Sequence, residues 1–306
     1  MLRAIQPVPV LTTFSFELPN TYLSMSVSGY LRITRPVNAA AAGAAAAAAF
    51  WITGGTDILT AVLLFLSVTL ICGAGNTIND CFDADIDRIN RPDRPIPRGE
   101  ATVKGAGIFT AVLFAVGFLC SLPVLPWCPL LAAVNILLLI MYSTSFKRMP
   151  LLGNLCVAYL TGSVFLFGGM AAGPESFLLT APLFLVTFLG ILSREIVKDA
   201  EDIEEDSKSG AYTLPMLIGV RASAVTAFVC MTAAAAAAFI PAVHWGIFYA
   251  AGILAVDIYL LRISAKVLPC RTPEEVSASR TASYMKYGMV AAILIIFLSA
   301  VAVRLW

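Results

Sequence analysis

Charged residues are scarce in this chain, and their scarcity limits the architectures that it can adopt. Of 306 residues, 13% are charged and 59% are hydrophobic, and the mean hydropathy is +0.87. Such values lie outside the range of soluble domains and are typical of a polytopic membrane protein. The apolar segments also lack the alternation of polar and apolar residues that a membrane barrel requires, which favours helices embedded in lipid.

Two further absences exclude other classes of protein. No C-x-x-C pair occurs among the seven scattered cysteines, so we interpret them as packing residues. No basic patch interleaved with aromatic residues lies outside the predicted loops, so nothing indicates a nucleic-acid partner. The first 24 residues lack a clean cleavable signal. We therefore expect an N-terminal extension over 1–27, either disordered or a product of an extended start, before a single domain over 28–306.

Nine apolar segments are long enough to cross a bilayer, which takes about 20 residues. They cover 34–53, 58–79, 104–122, 127–145, 152–172, 177–197, 222–242, 245–263 and 284–304. If alternate loops lie on opposite sides, 19 of the 20 Lys and Arg residues fall on one side and only Arg304 falls on the other. The positive-inside rule makes the charged side cytoplasmic, with the N-terminus inside and the C-terminus outside.

An acidic motif occurs twice, each time at the end of an apolar segment on the predicted cytoplasmic side. The copies are Asp80, Asp83 and Asp87, and Asp199, Asp202 and Asp206, with 119 positions between counterparts. At about 100° per residue, the three Asp residues of a copy fall within roughly 60° of one helix face. Such carboxylates repel one another unless a cation lies among them. Two such faces predict a site for hard divalent cations and a polyanion that they bridge.

The loop after the first motif is rich in arginine. Arg88, Arg91, Arg94 and Arg98 alternate with three prolines that stiffen the segment. Guanidinium groups bind the free oxygens of a diphosphate as metal ions neutralise its other flank. The alternative is a basic loop whose role is to fix membrane topology. We expect only one or two of these arginines to touch substrate.

The two motifs and their flanks closely resemble the signatures of the UbiA superfamily of intramembrane prenyltransferases. The first signature runs from Asn79 to Asp87 and continues in Arg94-Pro95-Ile96-Pro97-Arg98-Gly99. The second runs from Ser193 to Asp206 and is followed by Thr213-Leu214-Pro215. The resemblance covers about 28–306. It implies an all-α membrane protein with nine transmembrane helices around a central cavity, a cytoplasmic cap and Mg²⁺ as the cofactor.

The motifs and the resemblance together give a set of candidate site residues. The metal-binding set is Asn79, Asp80, Asp83, Asp87, Asp199, Asp202 and Asp206. The catalytic set is Asp83, Asp87, Asp202 and Asp206. The substrate-binding set is Arg35, Asn38, Arg94, Arg98, Tyr142, Lys147 and Lys198. The Tyr142–Lys147 spacing is one residue longer than in some members of the family, and Lys147 is equally interpretable as a positive-inside anchor.

Within the superfamily, both runs are most similar to archaeal ether-lipid members. This similarity implies transfer of a geranylgeranyl group from its diphosphate to the sn-2 hydroxyl of geranylgeranylglyceryl phosphate, with a prenyl diphosphate, a lipid-like acceptor and the bilayer as partners. An aromatic or chlorin acceptor, such as 4-hydroxybenzoate, homogentisate or chlorophyllide, stays open. A cation-coupled transporter is the distant alternative. It would need ionisable residues deep in several spans, and only Asp257 lies clearly inside one.

Overall fold

The chain folds entirely into helices and connecting segments over the residues that the computed structural model describes, which are 26–124 and 126–305. The predicted extension over 1–27 lies almost wholly outside the described residues. The helices are α1 (Val27–Ile33), α2 (Pro36–Ile52), α3 (Ile58–Phe82), α4 (Ala84–Asn90), α5 (Val103–Ser121), α6 (Cys128–Thr144), α7 (Leu152–Ala172), α8 (Phe177–Glu201), α9 (Ile203–Lys208), α10 (Leu214–Ile218), α11 (Val220–Ala238), α12 (Ala242–Ala265), α13 (Pro273–Ser279) and α14 (Thr281–Leu305).

Seven of the described helices are long and apolar enough to cross a membrane, namely α3, α5, α7, α8, α11, α12 and α14. Two more apolar helices, α2 and α6, have 17 residues each. At 1.5 Å per residue they are about 25 Å long, which is at the short end of the range for a span. The protein is therefore a multi-pass, all-helical membrane protein.

Local sequence fixes where several helices begin. Side-chain oxygens of Ser26, Asp57 and Thr102 accept hydrogen bonds from the backbone N–H groups three residues later, at 3.0, 2.7 and 3.0 Å. These bonds satisfy N–H groups that a helix start leaves without partners. Pro36 and Pro215 occupy the first turns of α2 and α10, where a missing N–H costs nothing.

The two halves of the chain share a structural repeat that extends beyond the doubled motif. Helices α3 and α8 both have 25 residues, and α5 and α11 both have 19. The helices before them, α2 and α7, both follow a residue with positive φ, which is 51° at Arg35 and 63° at Leu151. In each half the motif-bearing helix packs against its two neighbours, and the halves meet where α2 packs on α7.

Small residues allow α2 to approach its neighbours closely. A Cβ atom on Gly168 of α7 would lie 2.1 Å from the carbonyl oxygen of Ala46, and one on Gly43 would lie 2.5 Å from that of Phe65 in α3. Side chains of any size at these two positions would push the helices apart. Close backbone contact of this kind is a common way for membrane helices to associate, and here it holds the two halves together.

Neither acidic motif lies on one continuous helix. Helix α3 ends at Phe82 and α8 ends at Glu201, and the breaks fall on the equivalent residues Asp83 and Asp202. Their φ and ψ angles are −93° and 3°, and −102° and 14°. Hydrogen bonds of the i to i−4 type nevertheless continue across both breaks, from Asp87 N to Asp83 O and from Asp206 N to Asp202 O. The chain thus changes direction in the middle of each motif.

Candidate active site

Both acidic motifs border one cavity of about 560 Å³, called here the main cavity. One wall comes from the ends of α3 and α4, and the opposite wall from the ends of α8 and α9. The start of α7 and the connection between α6 and α7 complete the lining. The predicted site residues that line it are Arg35, Asn79, Asp83, Asp87, Arg94, Tyr142, Lys147, Lys198, Asp199 and Asp206.

On the first wall, a lysine from the α6–α7 connection contacts the first acidic motif. Lys147 Nζ forms an ion pair with Asp83 Oδ1 and also lies 3.3 Å from Asn79 Oδ1. Asn79 Nδ2 in turn donates to Asp83 Oδ2 over 3.0 Å. This short network joins two segments that are 64 residues or more apart in sequence. It places the positively charged end of the flexible Lys147 side chain directly beside Asp83, a predicted metal ligand.

Arginines hold the other two acids of the first motif. Arg94 Nη1 lies 2.5 Å from Asp87 Oδ2 and 2.9 Å from Asp80 Oδ1, and Arg35 Nη2 lies 2.7 Å from the same Asp80 oxygen. The side chain of Asp80 is only 4% exposed. A buried carboxylate needs such partners, because desolvation of an unpaired charge is expensive. The arginine-rich loop therefore folds back onto the motif that precedes it.

The second wall differs, because the acids of the second motif have no described ion pair. Asp199 Oδ2 accepts a hydrogen bond from Asn154 Nδ2 over 2.8 Å. Among the described residues, no Lys or Arg nitrogen pairs with Asp199, Asp202 or Asp206. Burial and the nearby charge of Asp202 raise the pKa of Asp206 to about 6, and burial also raises the pKa of Asp202. The second motif is thus compensated only at longer range, chiefly by the charge of Lys198, and not by a direct ion pair.

Four predicted site residues do not line the main cavity. Asp202 lies at the break between α8 and α9. Asp80 borders a neighbouring cavity instead. Arg98 is half exposed, and its Nε lies 3.0 Å from Glu100 Oε1. Asn38 is exposed in the first turn of α2.

The cavity also contains residues outside the predicted site sets. Asn154, Glu195 and Glu205 line the second wall, and Arg91 and Arg148 also border the cavity. Glu195 precedes Asp199 by four residues on α8, so helical spacing alone could have placed them on one face. Asn154 is one of a few polar residues in a largely apolar helix. Only the repeat offers a signal for it, because it is the third residue of α7 as Asn38 is the third residue of α2.

The oxygen-rich lining fits Mg²⁺ ions that are shared between protein carboxylates, waters and substrate phosphates. Within the described residues, no group of three or more His, Cys, Asp or Glu side chains is close enough to hold a metal ion. Mg²⁺ rarely uses such a cage, since it usually keeps several waters and binds one or two carboxylates together with substrate phosphates. The carboxylates of Asp83, Asp87, Asp199 and Asp206, with the amide oxygen of Asn79, supply donors of this kind on two facing walls.

Known proteins resemble this chain in sequence and in fold. Residues 40–290, which contain both acidic motifs, match the model of the UbiA prenyltransferase family. The digeranylgeranylglyceryl phosphate synthase of Methanoculleus marisnigri is 45% identical over 278 residues, which cover 90% of this chain and 100% of that protein. That of Thermococcus kodakarensis is 38% identical over 283 residues, which cover 92% and 100%.

Two solved structures share the fold. One, from work described as structural and mechanistic insights into the biosynthesis of digeranylgeranylglyceryl phosphate synthase in membranes, has a TM-score of 0.79 at 34% identity and covers 90% of this chain and 98% of its own. The other, a UbiA homologue from Archaeoglobus fulgidus bound to GPP and Mg²⁺, has a TM-score of 0.63 at 18% identity and covers 86% and 99%.

Proposed function

This chain is a member of the UbiA prenyltransferase family, and on that premise we propose which substrates it joins. The donor is geranylgeranyl diphosphate, and the acceptor is the sn-2 hydroxyl of geranylgeranylglyceryl phosphate, as in archaeal ether-lipid synthesis. The proposal is supported by relatives that carry the name of this synthase and align over their whole length. The observation that carries it is the pair of acidic walls that face each other across one cavity with cationic side chains between them.

The donor's diphosphate lies in the main cavity in this proposal. Asn79, Asp83 and Asp87 on one wall and Asp199 and Asp206 on the other would hold Mg²⁺ ions, with Asp80 and Asp202 behind them. When bound, the metal neutralises the charge that develops on the departing diphosphate. The protein's own cations add to this effect, because Lys147, Arg94 and Lys198 line the same cavity. Lys147 can exchange its contact with Asp83 for a diphosphate oxygen without moving its backbone.

The reaction breaks the bond between C1 of the prenyl chain and the diphosphate oxygen, and the diphosphate leaves with the electron pair. The acceptor's hydroxyl oxygen then forms the ether bond to C1, and its proton passes to an oxygen of the departing diphosphate. An alcohol is a weak nucleophile, so stabilisation of the leaving group must supply most of the rate enhancement. Tyr142 and Val157 border the cavity toward the helix bundle, and this is where the prenyl chain would leave the polar site for the apolar interior.

The membrane arrangement completes the proposal. The seven long helices together with α2 and α6 would give nine spans, in agreement with the nine segments expected from the sequence. The short helices α4, α9, α10 and α13 would form a cap over the polar end. That end would face the cytoplasm, with the N-terminus inside and the C-terminus outside, because the basic loops are concentrated there. The prenyltransferase domain would extend over 28–306.

An assay with a panel of acceptors tests the proposed function. Purified protein in lipid nanodiscs is given labelled geranylgeranyl diphosphate and geranylgeranylglyceryl phosphate, 4-hydroxybenzoate or homogentisate, each with Mg²⁺ and with EDTA. We expect transfer to the glyceryl phosphate ether only, and only with Mg²⁺. Turnover of the aromatic acceptors without the ether would discard the ether-lipid assignment, and full activity in EDTA would discard the metal-dependent mechanism.

A further inference from the structure

A groove between α12 and α14 carries basic and tyrosine side chains that have no part in the active site. Arg262 and Lys266 follow Tyr259 by three and seven residues, so these three share one face of α12. Tyr284 and Tyr287 share a face of α14 in the same way. All five residues are exposed, and none of them lines the main cavity. They define what we call the α12–α14 groove.

Direct contacts bring the two helix faces together. Tyr259 Oη donates a hydrogen bond to the backbone oxygen of Tyr284 over 3.2 Å, and Lys266 Nζ lies 5.4 Å from the centre of the Tyr284 ring. The second distance is within the range of a cation–π interaction. Gly288 leaves room for this arrangement, because a Cβ atom there would lie 3.0 Å from Tyr259 Cδ1. The basic and tyrosine side chains therefore border one groove across two packed helices.

The positive charge of the groove has no acidic partner. Within the described residues, no Asp or Glu forms an ion pair with Arg262 or Lys266. Helix α14 contains no acidic residue, and Asp257, the one acid in α12, is buried. Charge complementarity therefore favours an anionic partner from outside the chain.

The groove lies at the end of the bundle that contains the main cavity. Arg194 Nε on α8 donates to the backbone oxygen of Ala282, at the start of α14, over 3.3 Å. Glu195, the next residue of α8, lines the main cavity. The start of α14 and the end of α12 are thus at the level where the polar end of the protein meets the apolar part of the helices.

An apolar stripe continues from the groove along α14. Leu294 and Leu298 follow Tyr287 by seven and eleven residues on the same helix face, and both are exposed. Basic and tyrosine side chains near the end of a span lie at the level of lipid headgroups, and an exposed apolar face lies at the level of the acyl chains. A soluble anion would gain nothing from the apolar stripe, whereas an anionic lipid would contact both parts.

We propose that the α12–α14 groove binds one anionic phospholipid of the surrounding bilayer. Arg262 and Lys266 bind the headgroup phosphate by charge-assisted hydrogen bonds. Tyr287, whose side chain is 67% exposed, supplies a hydroxyl beside them. An acyl chain lies along the apolar stripe. This site is separate from the main cavity and does not depend on which acceptor the enzyme uses.

Lipid titrations followed by native mass spectrometry test the inference. The full-length protein in neutral detergent is titrated with phosphatidylglycerol or phosphatidylcholine. We expect one phosphatidylglycerol to bind at least about tenfold more tightly than phosphatidylcholine. The double variant Arg262→Gln/Lys266→Gln should lose at least about tenfold in affinity for phosphatidylglycerol, as expected when charge-assisted hydrogen bonds are removed.

The matched control is Lys286→Gln. Lys286 is exposed on α14 and has no ion pair within the described residues, but it follows Tyr284 by two residues and so lies about 200° around the helix from it. The control should bind phosphatidylglycerol as the wild type does. An equal loss in the control would show that anionic lipid responds to overall charge, and the proposed site would be refuted.

Thermal unfolding keeps the inference falsifiable if the double variant, which also loses the contact between Lys266 and Tyr284, is unstable. A ligand that binds only the folded state raises Tm. Phosphatidylglycerol added to phosphatidylcholine nanodiscs should therefore raise the Tm of the wild type. The single variant Arg262→Gln, which breaks no hydrogen bond or ion pair of the described residues, should show a smaller increase. The same increase in Arg262→Gln would contradict the proposal.

Three other results would overturn the inference. Equal affinity of the wild type for phosphatidylglycerol and phosphatidylcholine would exclude a site for anionic lipid. Binding of glycerol phosphate as tight as that of phosphatidylglycerol would indicate a site for soluble anions. A raised KM for geranylgeranylglyceryl phosphate in Arg262→Gln, measured in pure phosphatidylcholine nanodiscs, would assign the groove to the acceptor and not to a bilayer lipid.

Discussion

Asn154 donates a hydrogen bond from Nδ2 to Oδ2 of Asp199 over 2.8 Å, and this bond joins the first turn of α7 to the end of α8. Asp199 has no ion pair among the described residues, so this is the side-chain contact that orients its carboxylate toward the main cavity. Partners that orient metal ligands commonly contribute about 10–100-fold to metal affinity. The amide of Asn154 therefore has a role that is distinct from metal binding itself.

Asn154→Ala should raise the Mg²⁺ concentration for half-maximal activity about 10–100-fold, with a smaller change in kcat at saturating Mg²⁺. The measurement is a Mg²⁺ titration of prenyl transfer at saturating substrates. The matched control is Asn135→Ala, which removes a hydrogen bond of 3.0 Å to Ser163 within the bundle and away from the cavity. A lower kcat with an unchanged Mg²⁺ requirement would mean that Asn154 has no part in positioning a metal ligand.

The acids of the first motif should differ sharply in importance. Asp83 lines the main cavity, whereas the side chain of Asp85 is 92% exposed and pairs only with Arg88. Asp83→Ala should lower kcat by about 10²–10³-fold, as expected for the loss of one group that stabilises charge in the transition state. Asp85→Ala should remain within about twofold of wild type, since it alters only an exposed ion pair. Similar losses in both variants, measured as kcat with saturating Mg²⁺, would refute the assignment.

The doubled motif shows how much of the site could be predicted from the sequence. Asp83, Asp87, Asp199 and Asp206 were placed on facing surfaces from their spacing, and all four line the main cavity. Asp85, which lies between two of them in sequence, is exposed instead. The four carboxylates share one cavity because helical periodicity continues in approximate form through the breaks.

The features that the sequence missed depend on tertiary contacts. Neither break is marked by Gly or Pro, and the backbone angles at Asp83 and Asp202 are close enough to helical that local propensity gives no warning. Asn154 is recognisable only once α7 lies against α8. Arg98 follows the same repeating pattern as Arg94 in the loop, but the fold turns it outward to Glu100. Periodicity identifies faces of single helices, whereas these contacts depend on how the helices pack.

The raised pKa of Asp206, about 6, predicts how Mg²⁺ binding should vary with pH. Its ordinary value is 3.8, so folding favours the protonated form, and the metal-free protein gains stability from this group as the pH falls through 6. Metal binding requires the carboxylate, so it has the opposite dependence and releases a proton. The apparent Mg²⁺ affinity should therefore fall about fourfold between pH 7.5 and 5.5 for a single group of this pKa.

Isothermal titration with Mg²⁺ at both pH values, in buffers with different ionisation enthalpies, measures both the affinity and the proton release. Asp206→Asn should bind Mg²⁺ more weakly and should lose part of the pH dependence between 5.5 and 7.5. If Asp206→Asn keeps the wild-type pH dependence, another group is responsible for the proton release.

The proposed membrane orientation predicts which engineered thiols a membrane-impermeant reagent can reach. Pro126, between α5 and α6, and Ile89, at the end of α4, are both exposed, so a cysteine at either position should be reactive in the purified protein. On a background without the seven natural cysteines, Pro126→Cys should be labelled by a maleimide in intact cells, and Ile89→Cys should be labelled only after the membrane is opened. The reason is electrostatic, because the segment around Ile89 contains Arg88 and Arg91 and basic loops stay in the cytoplasm. Labelling of Ile89→Cys from outside, with Pro126→Cys protected, would invert the topology and would place the main cavity on the side opposite to the cytoplasm.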